Sequence, residues 1–347
     1  MLPRRRIILL ITVIALVAIV IVGTLAYVRY IRPVSQAADE INFMKSFLAA
    51  PPDVPYDVAI DKGYFANYHL RVNIISNPSG SAAAIRSLAS GGVDFAEGDI
   101  GTLMVLMARE SITNVKAVDA YYQHNPGGVI FLKGKGISQP KDLEGKTVGS
   151  FAGNSVEFLF PLFARASGLN VSAVHIQHIA AASLQTALLS NQVDAILTFA
   201  FHTFDFHQVS QTQVGNFSYR DYGVDTYANS ILTRTDIIAR NPDLVSRFVK
   251  ALEDARSYSV AHPDEAVQSF LKINPQYDPT ISLAIWRDWT ISVMGGKDHI
   301  LALGKPTSIG WFDPSRMAST TEIIHEAYGI PNIDSSSLYT SQFVTSS

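Results

Sequence analysis

Four residues recur at an interval of one hundred: Leu88, Ser90, Val93 and Asp94 return as Leu188, Ser190, Val193 and Asp194. Around each set the pattern is the same, a helical stretch, a two-residue polar turn and a short strand, Val93 to Ala96 in the first copy and Val193 to Phe199 in the second. A helix-turn-strand unit used twice, in a chain where strands and helices alternate, belongs to an α/β protein with mostly parallel sheets. With 347 residues the chain is also too long for one simple core. The reading is therefore two similar α/β lobes, each with its own mixed, mostly parallel sheet.

The second lobe is organised around Asp142-Leu143-Glu144-Gly145-Lys146-Thr147-Val148-Gly149-Ser150, followed by Phe151-Ala152-Gly153-Asn154-Ser155-Val156-Glu157-Phe158. Gly145 ends a helical turn begun at Pro140, Thr147 to Ser150 is a β-prone run, and Asn154 or Ser155 suits the N-cap of the apolar helix that follows. Such a strand, glycine loop and helix start directs unpaired backbone N–H groups at one spot and can hold a polar or anionic ligand group. An ordinary strand-to-helix connection has the same sequence. In the first half, Ile41, Phe43 and Phe47 suggest a strand, and a helix follows with Asp53 as cap, Pro55 in its first turn and Gly63 at its end. Leu70 to Ile74 alternates as a strand, and Asn77-Pro78-Ser79-Gly80-Ser81 leads into the small-residue helix Ala82 to Ser90. Two crossings between lobes are expected, one at Tyr121 to Gly128 and a return near Tyr227 to Leu232, after a strand at Val214 to Tyr219. From Asp236 onward the pattern is helical, with Pro242 and Pro263 opening helices.

Ahead of these lobes, Arg4, Arg5 and Arg6 precede residues 7 to 28, a run with no charged residue. At about 1.5 Å per residue this run spans about 33 Å, enough for a bilayer core of roughly 30 Å. The arginines orient such a helix with everything after Arg32 outside the cytoplasm. A signal peptide cleaved near Ser35-Gln36-Ala37 is the alternative, although its apolar region is normally shorter. The whole chain carries 27 basic and 30 acidic residues; the first 32 hold five of the basic ones and no acidic one, leaving 22 against 30, a net −8. That balance argues against a nucleic-acid partner. No cysteine is present, which removes disulfides, thiolate metal sites, a cysteine nucleophile and a lipid-modified cysteine. The expected organisation is an anchor at 1–32, a linker at 33–40, a first lobe built from 41–125 and 229–347, and a second lobe at 126–228.

Further segments carry a resemblance: Lys62-Gly63-Tyr64-Phe65, Gly80-Ser81, Gly91-Gly92-Val93-Asp94-Phe95, Asp142 to Lys146, Gln192-Val193-Asp194-Ala195, Asn241 to Leu252 and His262-Pro263-Asp264-Glu265-Ala266. Together, from about Asn42 to Tyr328, they resemble the extracytoplasmic solute-binding proteins of ABC importers, in the branch serving nitrate, alkanesulfonates, taurine and thiamin-precursor pyrimidines. The resemblance implies a type II periplasmic-binding fold, two α/β lobes joined by two crossing strands with a small-molecule ligand in the cleft. It also implies a monomer that delivers this ligand to permease and ATPase subunits, with no cofactor. Ligand contacts are implied at Pro52, Asp53 and Tyr56, at Ser79, Gly80 and Ser81, at Asp99 and Tyr122, and at Gly153, Asn154, Ser155 and Glu157. Phe199 and His202 follow a second-lobe strand and are placed at the same cleft.

That set is aromatic and polar, with carboxylates but no arginine or lysine. A neutral or weakly basic heteroaromatic ligand stacked on Tyr or Phe suits it better than an anion facing Asp53, Asp99 and Glu157, unless each carboxylate only caps a helix. Enzymatic readings find less support. The eukaryotic pyrimidine synthases of thiamin biosynthesis share the fold but carry a cysteine-rich motif that has no counterpart here. Gly149 to Gly153 puts phenylalanine where a nucleophile elbow needs serine. His175 and His178, three apart in a strand, face opposite ways and make no metal pair. A ligand sensor remains the third class, with only about six residues ahead of the apolar run. Closure is expected to hinge on the two crossings with little repacking, and replacement of Ser81, Asn154 or Glu157 is expected to weaken ligand binding without disturbing the fold.

Overall fold

The computed structural model describes residues 15–20, 37–204, 206, 213–295 and 309–344. The chain divides into two units, Met1–Asp39 and Glu40–Ser347. In the first, residues 15–20 are helical and exposed. The rest of the expected membrane helix lies outside the described residues, and no described helix is long and apolar enough to cross a membrane.

The second unit carries two five-stranded sheets. One contains β1 (Asp39–Met44), β2 (Leu70–Ile75), β3 (Phe95–Asp99), β4 (Val115–Asp119) and β10 (Asn229–Arg234), in the order β2-β1-β3-β10-β4. The other contains β5 (Gly127–Leu132), β6 (Thr147–Ser150), β7 (His175–His178), β8 (Ala195–Phe199) and β9 (Val214–Ser218), in the order β7-β6-β8-β5-β9. The two orders are the same topology. Each has one antiparallel strand, β10 or β5, inserted beside the third strand, and β1–β3, β6–β7 and β6–β8 are parallel. These are the two mixed α/β lobes expected from the sequence.

The hundred-residue recurrence has a physical cause. Asp94 accepts the Asn42 amide at 2.9 Å and returns its own amide to the Asn42 carbonyl at 3.0 Å. Asp194 does the same to Thr147, at 2.9 and 2.8 Å. Each aspartate pins the turn before the third strand to the first strand of its sheet, Asp94 within β1 and Asp194 at the start of β6, satisfying amides that the ladder leaves over.

Alternation along the strands assigns the faces. Phe95 joins a cluster with Phe43, Tyr56, Phe248 and Trp286, while its neighbour Ala96 joins Ile85, Leu88, Leu103 and Leu232. On β5, Ile130 and Leu132 pack with Leu184, Leu188 and Phe206, and Val129 and Phe131 face the other way. Those last two belong to the same buried cluster as Ile85, Leu103 and Leu232. One apolar core therefore runs from the first lobe into the second.

The crossings are Ala120 to Pro126 and Tyr219 to Ala228; the return lies ahead of the expected Tyr227 to Leu232, because Asn229 to Leu232 already belong to β10 of the first sheet. They lie side by side: the Tyr122 amide donates to the Asn229 carbonyl at 2.8 Å, Asn125 Nδ2 to Thr226 Oγ1 at 3.0 Å, and the Asn125 amide to Asp225 Oδ1 at 3.2 Å. They are not the whole junction. The helix Ser155–Ser167 packs on the helix Pro314–Tyr328, with the Phe158 and Tyr328 rings 5.6 Å apart and Arg165 paired to Glu326. The expected hinge with little repacking is corrected by this contact, because motion of one lobe must also shift a packed helix pair and a shared core.

Candidate functional site

Between the lobes lies a cavity of about 510 Å³, walled by segments at the ends of β1, β3, β6 and β8. On the first-lobe side the chain leaves β1 through Lys45 to Ala50 and makes a 3-10 turn at Pro51–Asp53. The Tyr121 hydroxyl donates to the Pro52 carbonyl at 2.7 Å, and Asp53 Oδ2 accepts both the Ala50 amide at 2.9 Å and Lys45 Nζ at 2.7 Å. Pro52 and Asp53 are thereby fixed at the cavity wall. Gly80 and Ser81 open the helix Gly80–Ala89 at the same wall, with Ser81 Oγ accepting the Asp99 amide at 3.2 Å.

On the second-lobe side Asn154 caps the helix Ser155–Ser167, accepting the Val156 amide at 3.0 Å. Its Nδ2 donates to Ser150 Oγ at 3.1 Å and to the Leu197 carbonyl at 2.9 Å. The residue is 4% exposed and welds the loop to β6 and β8. Asn154 is thus an internal brace, and the expectation that it can be replaced without disturbing the fold is corrected. Gly153, Ser155, Phe199, His202 and, from the crossing, Tyr122 also line the cavity.

Four expected contacts lie elsewhere. Tyr56 is fully buried, edge-on to Phe43 at 5.1 Å and stacked on Tyr121 at 5.0 Å, because the first turn of its helix faces the core. Ser79 is exposed, and its amide donates to Asn77 Oδ1 at 2.9 Å; it makes no side-chain cap. Asp99 caps the helix Ile100–Glu110 by accepting the Thr102 amide at 2.7 Å and borders a separate gap of about 10 Å³. Glu157 turns away to His178 on β7, at 2.9 Å. Asp99 is thus a helix cap, and Glu157 pairs with an exposed histidine.

The lobes touch beside the cavity. A Cβ added to Gly80 would lie 3.2 Å from the Gly153 carbonyl oxygen. Phe47 of the first lobe stacks on Phe151 of the second, with centroids 5.5 Å apart and planes 26° from parallel. Deeper in, Trp289 meets Phe201 at 5.0 Å and Tyr122 at 6.3 Å. Trp289 therefore packs against the interlobe junction itself, whereas Trp286 is in the first-lobe core, its Nε1 donating to Ser259.

Several lining residues were not singled out from the sequence. Glu97 lines the cavity at 3% exposure, its Oε2 accepting the Ser46 amide at 3.1 Å and hydroxyl at 2.9 Å, and its Oε1 accepting Asn229 Nδ2 at 3.1 Å. Burial pushes its carboxyl above the ordinary value and nearby Asp53 adds to this, against the Ser46 and Asn229 hydrogen bonds. The one available signal was a charge between the small residues Ala96 and Gly98 in the middle of the strand Phe95-Ala96-Glu97-Gly98-Asp99. Lys45 was missed too, so the site does carry a cation close by, neutralising Asp53. Gln185 lines the second-lobe wall, and its buried Nε2 has no hydrogen-bond partner among the described residues. Burial holds the Tyr121 and Tyr122 phenols neutral well beyond their ordinary range. No group of three or more metal-ligating side chains occurs among the described residues.

Two mixed α/β lobes, paired crossings and a cavity at the strand ends define the fold of the periplasmic binding proteins. The chain belongs to the NMT1/THI5 like family, which matches residues 52–266. It is 29% identical over 270 residues to a putative thiamine biosynthesis protein of Haemophilus influenzae, covering 77% of this chain and 84% of that one. It is 27% identical to the riboflavin-binding protein RibY of Chloroflexus aurantiacus, over 68% and 67% of the two chains. A 4-amino-5-hydroxymethyl-2-methylpyrimidine phosphate synthase of Candida albicans is 24% identical over 69% and 73%. Among solved structures, the periplasmic aliphatic sulphonate binding protein SsuA of Escherichia coli superposes with a TM-score of 0.66 at 13% identity, covering 86% and 96%, a likeness of fold.

Proposed function

We propose that this protein is the solute-binding component of an ABC importer, taking a small heteroaromatic molecule such as a thiamin-precursor pyrimidine into the interlobe cavity without converting it. The observation that carries this reading is the cavity of about 510 Å³ with aromatic rings on both sides, Phe47 and Tyr122 facing Phe151, Phe199 and Phe201. Its volume is in the range of small-molecule sites, and flat rings prefer offset stacking on such walls. Nitrate, an alkanesulfonate or taurine is the second reading. It is disfavoured by Glu97, a buried carboxylate at the wall, since the neighbouring cation Lys45 is already paired with Asp53.

The non-catalytic reading is supported by the missing cysteines and by the lack of a nucleophile elbow, although a relative carries a synthase's name. The ligand-binding residues on this reading are Pro52, Asp53, Gly80, Ser81, Tyr122, Gly153, Asn154, Ser155, Phe199 and His202, with Glu97 and Gln185 added. The lobe limits proposed are 41–125 with 229–347 and 126–228. The protein is proposed to act as a monomer, held at the outer face of the membrane by residues 4–28. Thermal-shift titration of the purified chain with pyrimidines, flavins, sulfonates and nitrate tests the ligand class, because a ligand specific for the folded state raises its melting point. A shift with sulfonates or nitrate alone would reverse the choice, and turnover of a bound pyrimidine would refute the non-catalytic reading. Recovery of the full chain in the aqueous fraction after cell lysis would refute the anchor.

A further inference from the structure

Among the carboxylates that the first lobe buries, Glu97 on β3, Asp119 on β4 and Asp53 in the segment after β1 lie nearest the aromatic pair Tyr121 and Tyr122, whereas Asp57 is held by Asn274 and Asp99 caps a helix. Two of the first three have their own cation. Asp53 is paired with Lys45 at 2.7 Å, and Asp119 with Arg256, itself only 1% exposed. Glu97 has none: among the described residues it takes part in no ion pair, and its donors, Ser46 and Asn229, are neutral. It is also the one of the three that lines the large cavity without a basic partner behind it.

A carboxylate offers about four lone-pair directions. Three at Glu97 are taken, two on Oε2 and one on Oε1, so one on Oε1 is left. Ser46 and Asn229 also bind one another, Asn229 Nδ2 donating to Ser46 Oγ at 2.9 Å, so the carboxyl plane is held rather than free to swing. A buried carboxylate in low dielectric, with an oriented open lone pair and no counter-charge, is costly unless a partner arrives or a proton neutralises it.

We propose that the ligand supplies the missing cation: Glu97 selects, within the heteroaromatic class, for rings that carry a basic nitrogen and direct one charged or amino N–H at the open position on Oε1. The inference rests on the cavity being the ligand site proposed above. Ser46 and Asn229 are positioning residues for this contact, and the aromatic walls supply stacking that does not discriminate between basic and neutral rings.

The test compares 4-amino-5-hydroxymethyl-2-methylpyrimidine with its 4-oxo analogue, of nearly the same shape but without the basic edge, by calorimetry on the full chain in detergent. Wild type should prefer the amino compound. In Glu97→Gln the amino compound should weaken by roughly ten- to a hundredfold, the range for a hydrogen bond to a charged group, while the oxo compound changes less than about threefold. Glu97→Asp keeps the charge and should keep the preference for the amino compound. Equal weakening of both compounds in Glu97→Gln would mark a purely structural role and overturn the inference, as would an unchanged amino affinity. If wild type bound neither compound but bound taurine or nitrate, the proposed ligand class would fall first and the inference with it.

Discussion

Gly80 and Gly153 bring the lobes into backbone contact, and this contact can be weighed against a built-in control. Gly80 has φ +77° and a Cβ there would lie 3.2 Å from the Gly153 carbonyl oxygen; Gly63 has φ +76° and nothing within 4 Å. Both Gly80→Ala and Gly63→Ala incur the left-handed backbone cost of about 1–2 kcal/mol. Only Gly80→Ala adds an interlobe contact tighter than an ordinary van der Waals separation. If the arrangement with the loops touching is the one that holds ligand, relieving that contact shifts the equilibrium toward separated loops by about 1 kcal/mol, or about fivefold in affinity. Thermal unfolding should show similar losses for the two variants, a few degrees each. Calorimetry with the best ligand should show weakened binding for Gly80→Ala alone. Equal affinities in the two variants would refute the argument, since the contact would then cost nothing in the ligand-holding arrangement. Gly153→Ala, whose Cβ would meet Ser79 at an ordinary 3.7 Å, should resemble Gly63→Ala.

Asn154→Ala removes a helix cap and leaves the Leu197 carbonyl and Ser150 hydroxyl without a donor, so denaturant titration should show a loss of about 2–4 kcal/mol; a loss below about 0.5 kcal/mol would contradict the bracing role. Asp57, facing Asn274 Nδ2 at 2.8 Å, is pushed from 3.8 to about 7, first by burial and then by Asp53. Because its folded value is raised, the native state holds the extra proton between about pH 4 and pH 7, and stability falls as pH rises through that window. Asp57→Asn should flatten this slope and be more stable than wild type at pH 8, by up to a few kcal/mol; identical pH profiles in urea titrations would remove Asp57 as the source. Phe47→Ala should weaken ligand binding by roughly 0.5–1.5 kcal/mol beyond the lost area if its ring stacks on the ligand when Phe151 is displaced, and unchanged affinity in calorimetry would place the ligand deeper in the cavity.

The local patterns were readable because they depend on neighbours in sequence. β6 runs Thr147–Ser150, as its β-prone residues indicate, and Asp94 and Asp194 sit where the recurrence placed two equal turns. The direction of side chains was harder. Tyr56 follows a proline in the first turn of its helix, and nothing local distinguishes a ring facing the cleft from one stacked on Tyr121, sixty-five positions on. Glu157 lies in the first turn after the Asn154 cap, where the helix dipole favours a carboxylate whether or not a ligand is near. The Ser46–Glu97–Asn229 set joins residues from β1's end, β3 and β10, brought together only by the sheet order. The shared core was equally invisible, because Val129 and Phe131 look like any strand interior until their face is known.

The insertion of β10 between β3 and β4 gives synthesis an order. The five strands of the second sheet lie within residues 127 to 218, one unbroken segment, whereas the first sheet lacks the strand that joins its two parts until Asn229 to Arg234 has left the ribosome. The lobe that begins first is thus the lobe that finishes last. Until then β3 and β4 each present an unpaired edge, the kind of surface that invites wrong partners in a slowly growing chain.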